Sequence, residues 1–348
     1  MKKTALVVCP GRGTYNKPEL GSIYANIGEN NANIRNFIAN IDTVRESLGC
    51  PTLTELDQAP LFKTRVHQHP DNAATLIYGA GYSDFMAIDR EQYEIVAITG
   101  NSMGWYTAMA CAQSWDSDTA IRIVTDMAQR TAGGAGAQFI YPLVDADWRP
   151  HPDYIGAVQA QIKQHGGDLQ MSIQYGGYAV LAGTEAACQA AMAALPPVDE
   201  RFPLLLHGHA AFHTQLMAEA SQQALQHWPE VLFKAPEIPL VDGRGKIWPT
   251  SASDAAALKH YTLGHQVTET YDFSRAITVA LKEFAPDHVI LLGPGAGLGG
   301  AVAQTMIAEN WLGLRDKADF VTRQETPTPY VLSMGIPEQR RLVVASDA

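Results

Sequence analysis

Residues 95–104 read Ile-Val-Ala-Ile-Thr-Gly-Asn-Ser-Met-Gly, a short β-branched run that breaks into Gly-x-Ser-x-Gly and passes at once into helix-forming residues up to Gln113. A strand that stops at a glycine-flanked serine and restarts as a helix needs a sharp turn, with no Cβ to block a group approaching the hydroxyl. The pattern makes Ser102 the candidate nucleophile and acyl transfer or hydrolysis the expected chemistry. A Gly-Ser turn between a strand and a helix also occurs without any chemistry. Here the flanking residues suit the elbow: Ile95, Val96, Ile98 and Thr99 fit a buried strand, and Met103 through Ala112 fit a helix.

Apolar runs at Thr4–Cys9, Ile95–Thr99 and His288–Leu292 alternate with helical patterns, predicting an α/β fold with a mostly parallel sheet. The rhythm changes after Gly136. Strand Gln138–Val144, helix Tyr154–His165, strands Leu169–Gln174 and Tyr178–Gly183, helix Glu185–Leu195 and strand Phe202–Leu206 follow in the order β-α-β-β-α-β of a ferredoxin-like unit. The expected division is a catalytic body over 1–135 and 207–348 with a small subdomain over 136–206, which would wall a cleft over Ser102. The Pro-rich tail from Trp311 to Pro337 reads as irregular.

With 348 residues, 46% of them apolar, the chain supports a large core, and no run of 18 apolar residues predicts a membrane span. The apolar start ends at Pro10-Gly11, too short for a secretory signal, and reads as the first strand. Cys9, Cys50, Cys111 and Cys188 are scattered without a C-x-x-C pair, arguing against a zinc ribbon or disulfide framework and for a cytoplasmic protein. A net charge of −11 disfavours nucleic acid and anionic membranes as partners. Arg244 with Lys246, and Arg340 with Arg341, are the basic clusters available to an acidic partner.

A serine hydroxyl needs a base to take its proton. Of eleven histidines, His213 is the best placed, 111 residues downstream in Ala211-Phe212-His213-Thr214-Gln215-Leu216-Met217, just after the inserted unit. The chain here resembles the malonyl-CoA:acyl-carrier-protein transacylases and the acyltransferase domains of polyketide synthases. Five segments agree in order. Pro10–Thr14 is similar to P-G-Q-G-S, Gly100–Gly104 to G-H-S-x-G, and Ala211–Met217 to A-F-H-x-x-L-M. Pro239–Gly243 is similar to P-V-x-x-N, and Leu292–Gly295 to a late x-G-P-G turn.

The resemblance implies an α/β-hydrolase-like large domain with a ferredoxin-like insertion. It also implies that Ser102 takes an acyl group, malonyl or a related short one, from CoA and passes it to the phosphopantetheine thiol of an acyl carrier protein, in fatty acid or polyketide biosynthesis. His213 acts as base and then acid, the backbone N–H groups of Arg12 and Met103 form the oxyanion hole, and no metal or redox cofactor is called for. The histidine would be oriented by the segment ending at Asp242 and Gly243, with Asp242 either a third triad member or an exposed turn residue.

Departures from the pattern bear on the substrate. Met127 stands where malonyl-specific members carry the arginine that pairs with the malonyl carboxylate, and a thioether does not replace a guanidinium. Arg130 or Arg12 offers a cation from another direction, so carboxylated and neutral acyl groups both stay open. Asn101, Trp105 and Gln174 also depart from the family. Trp105 either narrows the acyl pocket or packs in the core, while Phe212 matches malonyl-selecting members. Hydrolysis of acyl-carrier protein and a non-catalytic scaffold are the alternatives within this fold. Gly295-x-Gly297-x-x-Gly300 fits a dinucleotide turn, although no acidic strand end follows, and His67, His69, His207, His209 and His213 raise a metal site without partner carboxylates.

Overall fold

The computed structural model describes residues 2–27 and 31–345; residues 1, 28–30 and 346–348, inside the spans expected for the catalytic body, lie outside the described residues. The chain is mixed α/β, with two sheets. Its strands are β1 (Lys3–Cys9), β2 (Tyr93–Gly100), β3 (Ala137–Pro142), β4 (Leu169–Tyr175), β5 (Tyr178–Gly183), β6 (Leu204–Leu205), β7 (Leu240–Val241), β8 (Ile247–Trp248), β9 (Tyr271–Asp272), β10 (His288–Leu291) and β11 (Val331–Ser333).

The larger sheet has the order β11-β10-β1-β2-β7-β8 and is parallel except for the β7–β8 pair. Ala5 through Cys9 are wholly buried, as expected for a central strand covered by helices on both faces, which is why this stretch is continuously apolar instead of alternating. The flanking helices begin where the sequence supplies caps. Pro70 opens Pro70–Ala87, where its missing N–H costs nothing, and the Asp116 carboxylate accepts from the Thr119 amide at 2.7 Å to start Ser117–Thr131.

The smaller sheet has the order β6-β3-β5-β4-β9. β3, β4, β5 and β6 pair antiparallel, with helices Pro152–His165 and Glu185–Ala194 between them. Their core, including Phe139, Tyr141, Val158 and Leu181, is separate from the cluster around the larger sheet. β9 joins from the distant 271–272 segment, parallel to β4. A two-residue strand is too short to show a period.

The tail is more regular than its prolines suggest. Helix Lys317–Gln324 is capped by Asp316, and β11 follows Pro329 closely to form the edge of the larger sheet beside β10. Three residues bracketed by turns carry no alternation to read. In the Gly295–Gly300 turn Gly295 has φ +66°, and its carbonyl oxygen lies so close to Gly335 that a Cβ there would be 1.9 Å from it. No helix among the described residues is long and apolar enough to cross a membrane, and the four cysteines are free thiols.

Candidate active site

β2 ends at Gly100, and the chain turns through Asn101-Ser102-Met103 into helix Gly104–Cys111. Ser102 has φ +54°, a left-handed conformation that L residues avoid unless their surroundings hold them there. Both flanking glycines are dictated by contact. A Cβ on Gly100 would sit 2.4 Å from Gly104, and one on Gly104 would sit 2.3 Å from the Cys9 carbonyl oxygen at the end of β1.

The Oγ of Ser102 lies 2.7 Å from Nε2 of His213. His213 has φ +59°, ending a segment held from behind: the Ser172 hydroxyl donates to the Phe212 carbonyl at 2.7 Å and accepts from the Gln138 amide at 2.6 Å. On its other side, Nδ1 of His213 is 2.6 Å from the carbonyl oxygen of Gln266. Gln266 opens the last turn of a helical stretch, Ala255–Thr268, whose middle is the π-turn Tyr261–His265. The carbonyls of a last turn lack an intrahelical donor, so this one is available to the imidazole. The Gln266 side chain reaches the Ser102 carbonyl at 3.2 Å, so one residue ties nucleophile and base together.

Burial pushes the His213 pKa down to about 4, against a smaller upward pull from the Gln266 carbonyl. The imidazole is therefore neutral at physiological pH, as a general base must be. Among the described residues, the backbone N–H groups of Arg12 and Met103 make no hydrogen bond to the protein.

The expectation for Asp242 and Gly243 is corrected. Asp242 is neither exposed nor bonded to His213: it is fully buried, accepts from Arg244 Nη2 at 2.6 Å and from Trp248 Nε1 at 3.0 Å, and closes the β7–β8 turn. The Gly243 N–H bonds to the Tyr261 hydroxyl, and its carbonyl accepts from Asp272. Gly243 acts at a distance, because a Cβ there would strike the Tyr271 ring at 2.8 Å. Tyr271 packs 5.4 Å from the His213 ring and bonds the Gly100 carbonyl.

A cleft of about 600 Å³, open mouth included, lies in front of Ser102. Arg12, Met103, Met127, Phe212 and His213 line it as expected, Met217 from the histidine segment joins them, and Tyr106, Val124, Gln266 and Val267 do so without any local sequence signal. Four residues expected at the substrate lie elsewhere. Trp105 is fully buried, with its indole N–H 2.9 Å from Thr262 Oγ1, so core packing has won. Arg130 points to Asp126 at 2.6 Å and to Gln223. Gln174 is exposed on β4, where its carbonyl accepts from Ser274. Asn101 is a turn residue, bonded through its backbone to Cys9 and Gly104 and packed against Gly11.

Of the remaining histidines, His67 bonds to the Leu56 carbonyl, His69 pairs with Asp71, and His209 bonds to Gln138. Among the described residues no group of three or more His, Cys, Asp or Glu side chains is placed to hold a metal ion. Of the basic clusters, Arg244 is paired with Asp242 and Arg340 with Asp84.

The chain shares its fold with solved acyltransferases. No protein-family model and no curated relative matches the sequence. Solved structures do. The malonyl-CoA:acyl carrier protein transacylase of Xanthomonas oryzae pv. oryzae superposes with a TM-score of 0.73 at 18% identity, over 99% of this chain and 100% of that one. A malonyl-transacylase solved in complex with its type II polyketide synthase acyl-carrier protein gives 0.71 at 17% identity, over 98% and 99%. The acyltransferase domain from the second module of the salinomycin polyketide synthase gives 0.68 at 18% identity, over 98% of this chain and 71% of that one. At these identities the likeness establishes a shared fold.

Proposed function

We propose that the chain is an acyl-CoA:acyl-carrier-protein S-acyltransferase, moving malonyl or a related short acyl group through an acyl-serine intermediate in fatty acid or polyketide biosynthesis. The observation that carries this reading is the 2.7 Å contact between Ser102 Oγ and His213 Nε2 at the head of an apolar cleft. The shared fold, in one case of a transacylase bound to its carrier protein, supports acyl-CoA and an acyl carrier protein as the partners.

The chemistry follows from the atoms. His213 Nε2 takes the Ser102 proton as Oγ attacks the thioester carbonyl, and a catalytic base of this kind contributes about 10²–10⁴ in rate. The Arg12 and Met103 N–H groups receive the oxyanion, each such donor worth about 2.7–4 kcal/mol. The C–S bond breaks and the CoA thiolate leaves with the proton from His213. The carrier thiol then repeats the sequence in reverse, its proton going to His213 and from there to the departing Ser102. The Gln266 carbonyl stabilises the imidazolium formed in each half. Neither half requires a metal or redox cofactor.

In this reading, residues 1–135 and 207–348 form an α/β-hydrolase-like catalytic domain and 136–206 a ferredoxin-like subdomain. The parallel sheet bearing the serine elbow supports the first. The second is supported by a separate core and by strands that lie side by side in the order fourth, first, third, second of the unit.

The test is transfer itself. Protein incubated with acyl-CoA and a holo carrier protein is expected to load the carrier, with Ser102→Ala inactive. Loading by the alanine variant at the wild-type rate would remove the acyl-serine route.

A further inference from the structure

The wall of the cleft away from the nucleophile is made by side chains that carry no charge. Val124, Met127 and Thr131 come from one face of helix Ser117–Thr131, Ala74 from helix Pro70–Ala87, and Met217 and Val267 from the segments around the histidine. Met127 is 3% exposed and belongs to the main core cluster. The Thr131 hydroxyl is engaged with the Met127 carbonyl at 2.8 Å.

Two cations lie near enough to matter, one bonded away from the cleft and one set over a ring that lines it. Arg130, on the same helix, is bound to Asp126 and Gln223 and does not line the cleft. Arg12 lines it at the Phe212 side: its guanidinium lies 5.4 Å from the centre of the Phe212 ring, itself a lining residue, and donates to the Gly208 carbonyl at 3.1 Å. A carboxylate seated against the Met127 wall finds no cation on that wall, and an unpaired charge in such surroundings is strongly disfavoured. An aliphatic group in the same place is favoured by the apolar area it buries.

We infer that the acyl group this cleft accepts is uncharged, a short aliphatic acyl thioester and not the half-thioester of a dicarboxylic acid. The inference rests on the acyl-serine reading above and narrows its substrate. The bond changes are those already given: an ester forms at Ser102 Oγ, the thioester C–S bond breaks, and the thiol leaves with the serine proton.

Acetyl-CoA, butyryl-CoA and malonyl-CoA, each at the same concentration, test this by intact-protein mass spectrometry under single-turnover conditions. The proteins are wild type, Ser102→Ala, Arg12→Ala and Met127→Arg. An acetyl or butyryl adduct forming at least about 100-fold faster than the malonyl adduct, and absent from Ser102→Ala, is the expected result, on the scale of a buried unpaired polar group. Met127→Arg is expected to shift the ratio toward malonyl. The wild-type ratio decides the matter even where that variant fails to fold. A malonyl adduct as fast as the others would overturn the inference, and its selective loss in Arg12→Ala would make Arg12 the carboxylate receptor. No adduct from any donor on folded wild-type protein would overturn the acyl-serine reading itself.

Discussion

The imidazole of His213 is oriented by the backbone carbonyl of Gln266, 2.6 Å from Nδ1, and by no carboxylate among the described residues. The acidic residue once available for that role, Asp242, is fully buried against Arg244 and Trp248. Asp242→Asn is therefore expected to lower unfolding free energy by about 2–3 kcal/mol, because it weakens a charge-assisted set of bonds. The Ser102 acylation rate of the folded protein should stay at the wild-type value. A denaturant midpoint and a single-turnover rate separate the two effects, and a large drop in the rate alone would restore a triad role for Asp242.

Burial holds the His213 pKa down at about 4. The neutral form is the base, so labelling of Ser102 by a fluorophosphonate should be level down to roughly pH 5. Below about pH 4 it should fall about tenfold per unit. The same shift makes the unfolded chain, with an ordinary histidine near 6.5, the better proton binder between those values. Stability is then fully present above about pH 6.5 and declines as pH falls toward about 4. A rate inflection at the ordinary histidine value would contradict the buried base.

Gly104→Ala should cost about 3 kcal/mol or more, since its Cβ would meet the Cys9 and Pro10 carbonyl oxygens at 2.3 and 2.8 Å. Gly300→Ala is the matched control. It lies within helix Leu298–Ala308 with nothing within 4 Å of the added carbon, and a gain of about 0.5–1 kcal/mol is expected. Thermal melts of both variants provide the comparison, and equal stabilities would mean that the elbow does not press on β1.

Ser172 reaches the site through Phe212. Ser172→Ala takes the shorter bond from both the Gln138 amide and the Phe212 carbonyl and leaves them only their own 3.5 Å contact, at a cost of about 1–3 kcal/mol. The loosened 212–213 backbone should also slow acylation roughly tenfold, because reaction rate is steep in the placement of the base. Ser172→Thr keeps the hydroxyl and should recover the rate. Full activity in Ser172→Ala would show that the His213 turn is held by other contacts.

Much of this was legible in the chain because it depends on local pattern. Gly-x-Ser-x-Gly after a β-branched run and before helix formers predicts an elbow, since the turn needs both glycines and the strand needs the apolar run. The β-α-β-β-α-β succession from Ala137 to Leu205 carries its own periodicities, and its strands begin and end within about two residues of where the alternation places them. The tertiary structure alone decided what depends on meetings between distant segments. Gln266 has nothing in its neighbourhood to mark it; its importance comes from an orphan carbonyl at a helix end that happens to face a histidine 53 residues away. Trp105, Arg130 and Asp242 became candidate site residues through the family resemblance, yet each found a nearer partner: Thr262, Asp126 and Arg244. Residue type states which bonds a side chain can make, and only the packed chain determines which of them it does make.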